Sequence, residues 1–138
     1  MAYAGDLGPA EAWAMLKGEP TAQLIDVRTR PEWTFVGVPD LDTIGKQPAF
    51  VSWQVYPTMQ TNAAFADEIR RIAPSVDAPL LFICRSGARS RAAAEAVTAL
   101  GYRRCYNVAE GFEGQTDHDG HRGRQAGWKA AGLPWIQD

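Results

Sequence analysis

The amino-acid sequence predicts an α/β domain of three layers, with a mainly parallel central sheet of about five short strands flanked by helices. Three observations carry this. Apolar stretches of strand length alternate along the chain with stretches of helical spacing. One strand-like stretch, PLLFI at residues 79–83, is apolar throughout, as expected of a strand covered on both faces in a parallel sheet. That stretch runs through a short glycine-containing turn straight into a helix, the order found in a βαβ unit. With 138 residues and 46% hydrophobic content, the chain has material for one core, and a single domain over 1–138 is expected.

Residues 9–17 (PAEAWAMLK) predict a short helix, with Pro9 in its first turn, Ala12, Trp13 and Leu16 on one stripe, and Gly18 after its end. Residues 23–27 (QLIDV) predict a strand, and residues 49–55 (AFVSWQV) a second. Between them PEWTF can make one helical turn, while the glycine, proline and aspartate of residues 36–48 predict irregular chain. Residues 62–73 place Ala64, Phe65, Glu68, Ile69 and Ile72 at helical spacing, with Thr61 or Asn62 as N-cap and Pro74 as stop. After the apolar strand 79–83 comes a helix over 88–100, stopped by Gly101, then a short strand at 104–108. Residues 111–125 are glycine-rich and polar, and a last helix is predicted near 125–131.

The formal net charge of −2 gives no broad reason to expect nucleic acid or a membrane as partner. The N-terminal residues lack the basic and apolar regions of a leader, and no stretch approaches the roughly 20 apolar residues that span a bilayer, so a cytoplasmic location is expected. Two cysteines, Cys84 and Cys105, are too few for a disulfide scaffold and direct attention to each thiol separately.

Cys84 opens CRSGARS, between the apolar strand and the helix that follows. In that position the backbone N–H groups of the turn can converge near the sulfur, and the helix N-terminus adds about half a positive charge. Thiols beside such groups ionise more readily, which makes Cys84 the predicted nucleophile. Arg85, Arg89 and Arg91 add cations able to draw in an oxyanion, and Gly87 permits a tight turn.

On these residues the chain resembles the rhodanese family, whose active-site loop begins with cysteine and often reads CRxGxR, as Cys84, Arg85, Gly87 and Arg89 do. LIDVRTRPEW at 24–33 resembles the family's early strand and DVR segment, and GYRRCYNVAEGFEG at 101–114 its later strand and glycine turn. Where the family commonly has a GHIPGA-like stretch, this chain has VGVPDL and a longer passage to Phe50, and its tail from 115 to 135 is longer than a minimal rhodanese ending. The resemblance implies a rhodanese-like fold and a sulfurtransferase that carries sulfur as a persulfide on Cys84. It implies donor binding by the loop residues Arg85, Ser86, Gly87, Ala88, Arg89 and Ser90, a small sulfur-containing anion as donor, and a thiol, a protein or cyanide as acceptor. No metal and no organic cofactor are implied.

Two other readings compete. A cysteine phosphatase or arsenate reductase uses a similar cradle but needs arginine six positions after its cysteine, where this chain has Ser90. A non-catalytic rhodanese-like module would dock partners or sense oxidants through Cys84. Asp26 and Arg28 are expected to give structural support as a buried charged pair, and Cys105 to behave as a small hydrophobe within its strand. His118 and His121 fall in a polar loop with no helix to fix them, so neither zinc nor calcium is expected there. Of the five tryptophans, Trp33 and Trp53 are expected nearest the pocket.

Overall fold

The computed structural model describes residues 3–137. Along the chain run β1 (Gly5–Leu7), α1 (Pro9–Gly18), β2 (Gln23–Asp26), α2 (Arg30–Val36), β3 (Val38–Pro39), a 3-10 turn (Asp42–Ile44), β4 (Ala49–Phe50), β5 (Gln54–Val55) and β6 (Gln60–Thr61). They are followed by α3 (Phe65–Ile72), β7 (Leu80–Ile83), α4 (Ala88–Ala99), β8 (Cys105–Val108), α5 (Gly127–Ala130) and β9 (Trp135–Ile136). Five strands form one parallel sheet in the order β1-β8-β7-β2-β4.

β7 sits at the centre because all four of its residues are apolar and can be buried on both faces. Its side chains alternate. Leu80 and Phe82 join Ile69, Ala93 and Val97 in one packed cluster, against α3 and α4, whereas Leu81 and Ile83 join Leu16, Phe112 and Trp128 in another, against α1 and α5. Each fully buried side chain of this size contributes about 1.5–3 kcal/mol through removal from water. Since β2, β7 and β8 are parallel neighbours, the segments that leave their carboxyl ends lie side by side at one end of the sheet.

Four features differ from expectation. β1, too short and too polar to show an apolar run, pairs with β8 and forms one edge of the sheet. The stretch 49–55 divides into β4, which joins the large sheet, and β5, which pairs with β6 in a separate ribbon. Between the two, the Val51 and Trp53 N–H groups donate to the carbonyls of Asp26 and Val27 and keep the chain against the end of β2. Residues 36–48, expected to be irregular, include β3, which pairs antiparallel with β9 from the tail. α3 begins at Phe65 with Ala64 as its N-cap, and Asn62, two residues before that cap, accepts the Ala64 N–H through its side chain.

Candidate active site

Cys84 follows β7 directly and continues its alternation, so its side chain faces the α3 and α4 layer and is only 1% exposed. The turn after it is held from outside by the turn that follows β8. The Cys84 carbonyl accepts the Phe112 N–H at 2.8 Å, and the Arg85 carbonyl accepts those of Glu113 and Gly114 at 3.0 and 3.1 Å. The two turns touch where neither has a side chain. A Cβ on Gly87 (φ 110°) would stand 2.1 Å from the Ala109 carbonyl oxygen, and one on Gly111 would stand 2.3 Å from that of Arg85.

With the turn fixed, the Gly87 N–H donates to Cys84 Sγ at 3.1 Å. α4 starts at the next residue, and its first intrahelical bond runs from the Arg91 N–H to the Gly87 carbonyl. The N–H groups of Ala88, Arg89 and Ser90 therefore have no acceptor within the helix and leave its positive end open beside the sulfur. Ser90 Oγ lies 3.2 Å from Sγ. Its single proton has a closer acceptor in Asn107 Oδ1 at 2.6 Å, so the hydroxyl presents lone pairs to Cys84. Asn107 Nδ2 in turn donates to Asp6 at 3.2 Å, and the Tyr3 hydroxyl donates to the same carboxylate at 2.6 Å.

The loop arginines differ in their surroundings. Arg89 is held bidentately by Glu32 at 2.7 and 2.9 Å, and Glu32 also accepts the Thr29 N–H and hydroxyl at the start of α2. Burial pushes the Glu32 carboxyl up, but the Arg89 and Thr29 hydrogen bonds and the Arg89 charge outweigh it and hold it at about 2. The Glu32 hydrogen bonds in turn raise the Arg89 guanidinium. Arg85 is exposed and has no carboxylate partner among the described residues. Ser86 is fastened through its carbonyl to the Gln115 side chain, and Ala88 opens α4 on the exposed side.

Asp26 and Arg28 are both fully buried, joined by bonds of 2.6 to 3.2 Å from Arg28 Nε and Nη2. Arg28 Nη2 also donates to the Gly37 carbonyl at 2.9 Å, and the guanidinium lies 4.4 Å from the Phe112 ring centre. The pair thus ties the end of β2 both to the turn after α2 and to the turn that grips the cysteine loop. Cys105 is buried in β8, where loss of water pushes its thiol up. His118 and His121 are exposed, and among the described residues no cluster of acidic, histidine or cysteine side chains is suited to a metal.

A broad hollow lies beside α2. A groove of about 680 Å³ is lined by Arg30, Trp33, Phe35, Phe50 and Tyr56 among others, and a second hollow of about 370 Å³ shares Arg30, Trp33, Thr34 and Phe50 with it. Trp53 packs edge-on against Phe65, with ring centres 5.0 Å apart. Reading the sequence alone misses Glu32, Asn107 and Asp6. The Thr29-x-x-Glu32 spacing, a helix-start signature, is the one signal that could have pointed to Glu32. Asn107 meets Ser90 across 17 residues, and Asp6 meets Asn107 across 101.

The family model described as the STR4 middle domain matches residues 5–138. An uncharacterized Rickettsia rickettsii protein, the RP600 homolog, is 41% identical over 126 residues, which cover 91% of each chain. Thiosulfate sulfurtransferase GlpE of Actinobacillus pleuropneumoniae is 26% identical over 129 residues, covering 94% of this chain and 90% of its own. Among solved structures, Rv0390 from M. tuberculosis is 47% identical with a TM-score of 0.91, covering 99% of this chain and 100% of that one. A rhodanese-like domain protein from Staphylococcus aureus is 18% identical with a TM-score of 0.60, covering 96% and 99%. The fold is rhodanese-like, and no described helix is long and apolar enough to cross a membrane.

Proposed function

The chain belongs to the STR4 middle-domain family, and from that premise we propose that it is a sulfurtransferase carrying sulfane sulfur on Cys84. The observation that carries this reading is the Gly87 N–H aimed at Sγ from 3.1 Å, beside the open N-terminus of α4. A cradle of N–H donors stabilises negative charge on sulfur without using a side chain.

In the first half-reaction the Cys84 thiolate attacks the outer sulfur of thiosulfate. A Cys84–sulfur bond forms, the S–S bond of the donor breaks, and sulfite leaves with the bonding pair. In the second, a thiolate or cyanide attacks the outer sulfur of the persulfide, and Cys84 departs as thiolate. Arg85, exposed and unpaired among the described residues, is the donor-binding arginine in this scheme. Arg89 is the positioning one, since both of its terminal nitrogens are occupied by Glu32. Ser86, Gly87, Ala88 and Ser90 supply backbone N–H groups, and Asp26 and Arg28 support the frame. No resident cofactor enters either step. The arrangement also disfavours phosphatase chemistry, because Ser90 stands where a guanidinium would grip phosphate.

Thiosulfate-to-cyanide transfer, measured together with the intact mass of the protein after thiosulfate, tests the proposal. Wild type gains one sulfur and forms thiocyanate, and Cys84→Ser does neither. Equal sulfur loading in both proteins would overturn the mechanism.

A further inference from the structure

The eleven arginines are not distributed evenly between paired and unpaired states. Arg28, Arg70, Arg71, Arg89, Arg91, Arg103, Arg104 and Arg124 each have a carboxylate within 4.0 Å. Among the described residues Arg30, Arg85 and Arg122 have none, and these three stand on the segments that leave the carboxyl ends of β2, β7 and β8. Three guanidinium groups without a carboxylate partner among the described residues thus stand at the end of the sheet that holds Cys84, in a protein whose net charge is −2.

Apolar exposure is gathered there as well. Phe35 (75% exposed), Tyr56 (59%), Val55 and Phe50 line the groove that Arg30 also lines, and Ile136 joins Phe50 in the adjoining hollow. This groove is coupled to the cysteine loop through α2, since Glu32 holds Arg89 and its neighbour Trp33 forms the groove wall. At about 680 Å³ it has the room of a site for a large organic group, in the range of roughly 300–1,000 Å³, and far more than a five-atom donor anion fills. Large exposed aromatic surface beside an unpaired guanidinium is the composition of a protein-recognition site.

We propose that this groove, together with Arg30 and Arg85, receives a polypeptide sulfur acceptor whose thiol lies on a segment bearing acidic and bulky apolar side chains. The apolar side chain seats among Phe35, Phe50 and Tyr56, and the carboxylates meet Arg30 and Arg85. The acceptor thiolate then takes the outer sulfur from Cys84, one S–S bond breaking as another forms. The inference rests on Cys84 carrying a persulfide.

The test uses blocked nonapeptides with a central cysteine: one with two glutamates and a phenylalanine, one with lysines for the glutamates, and one with serine for the phenylalanine. Sulfur transfer from the preloaded protein to each peptide, and to dithiothreitol, is followed by mass. The acidic, aromatic peptide is expected to react about tenfold faster than the basic one at low salt, with the gap closing in 0.5 M salt as charges are screened. Arg30→Glu should invert the acidic-to-basic ratio, a comparison made within one protein and so independent of how much of it is folded. Anisotropy of labelled peptides with serine for cysteine reads docking without any transfer. Equal rates for all three peptides, or equal binding, would overturn the proposal in favour of small thiols. Concentration-dependent dimerisation abolished by Phe35→Glu would overturn it in favour of a second copy of this chain. If dithiothreitol takes no sulfur and Cys84 loads none, sulfur transfer itself fails, and the binding arm alone decides the groove.

Discussion

Cys84 and Cys105 stand on neighbouring strands and face the same helical layer, and both are almost completely buried. Cys105 pairs with Leu80, four residues before Cys84 along the same direction of the sheet. Near the amino end of the strands that thiol lies among apolar side chains with one hydrogen bond to Thr98, and burial, the larger effect, pushes it towards the protonated form. At the carboxyl end the other thiol meets a backbone N–H, a hydroxyl and the open start of a helix. Depth does not separate them. What separates them is the end of a parallel sheet at which each lies, because that end is where helix N-termini point their unpaired donors. The amino end is packed core, and the carboxyl end is a frame in which each turn fixes the next.

Removing the frame's buried pair should break this difference most severely. Arg28→Ala leaves Asp26 charged and unpaired in the interior, which costs about 3–5 kcal/mol. A denaturant titration should show that loss, and Arg28→Met, which restores volume but not charge, should not recover it. Gly87→Ala is expected to cost about 2–3 kcal/mol through its positive φ and its collision with Ala109. It should lower sulfur loading of Cys84 by more than about tenfold, beyond what the folded fraction explains, because the Sγ donor moves.

Glu32→Gln is expected to cost about 2 kcal/mol. The Glu32 carboxyl is held at about 2, below the unfolded value of about 4.3, so its contribution is complete above that unfolded value and is lost as pH falls through about 2. The difference in unfolding midpoint between wild type and variant should therefore be constant from neutral pH to about pH 5 and shrink towards pH 2. The smallest effect belongs to the other thiol. Cys105→Val should change stability by less than about 1.5 kcal/mol and leave thiosulfate-to-cyanide transfer within twofold of wild type. A large loss of transfer would mean that the two ends of the sheet are not chemically distinct.

The sheet was legible because its central strand is uniformly apolar and its helices carry apolar stripes with glycine or proline at their ends. The nucleophile's loop was legible for a similar reason, since strand, glycine turn and helix are adjacent in sequence. β1 was not, because GDL carries no apolar alternation and is a strand only through its pairing with β8. The tail showed a helix but not β9, whose partner β3 lies about a hundred residues earlier. Arg85 and Arg89 look alike in CRSGARS, and only Glu32, 57 residues before Arg89, makes them different. The Asn107 and Asp6 contacts behind Ser90 share the same cause, for polar partners that meet through the fold leave no periodic trace in the chain.

The alternation that places Leu80, Phe82 and Cys84 on one face, with Leu81 and Ile83 on the other, makes the location of the nucleophile a matter of parity. Deleting one residue from β7 would turn the sulfur towards α1 and α5, away from Gly87 and Ser90, even if every remaining residue kept its identity. Length variation in this protein should accordingly be tolerated where no such count is kept, in the 40–48 and 115–125 passages, and purged between Leu80 and Ser90. There the chain is read in steps of two, and an odd insertion erases the active site as completely as loss of the cysteine.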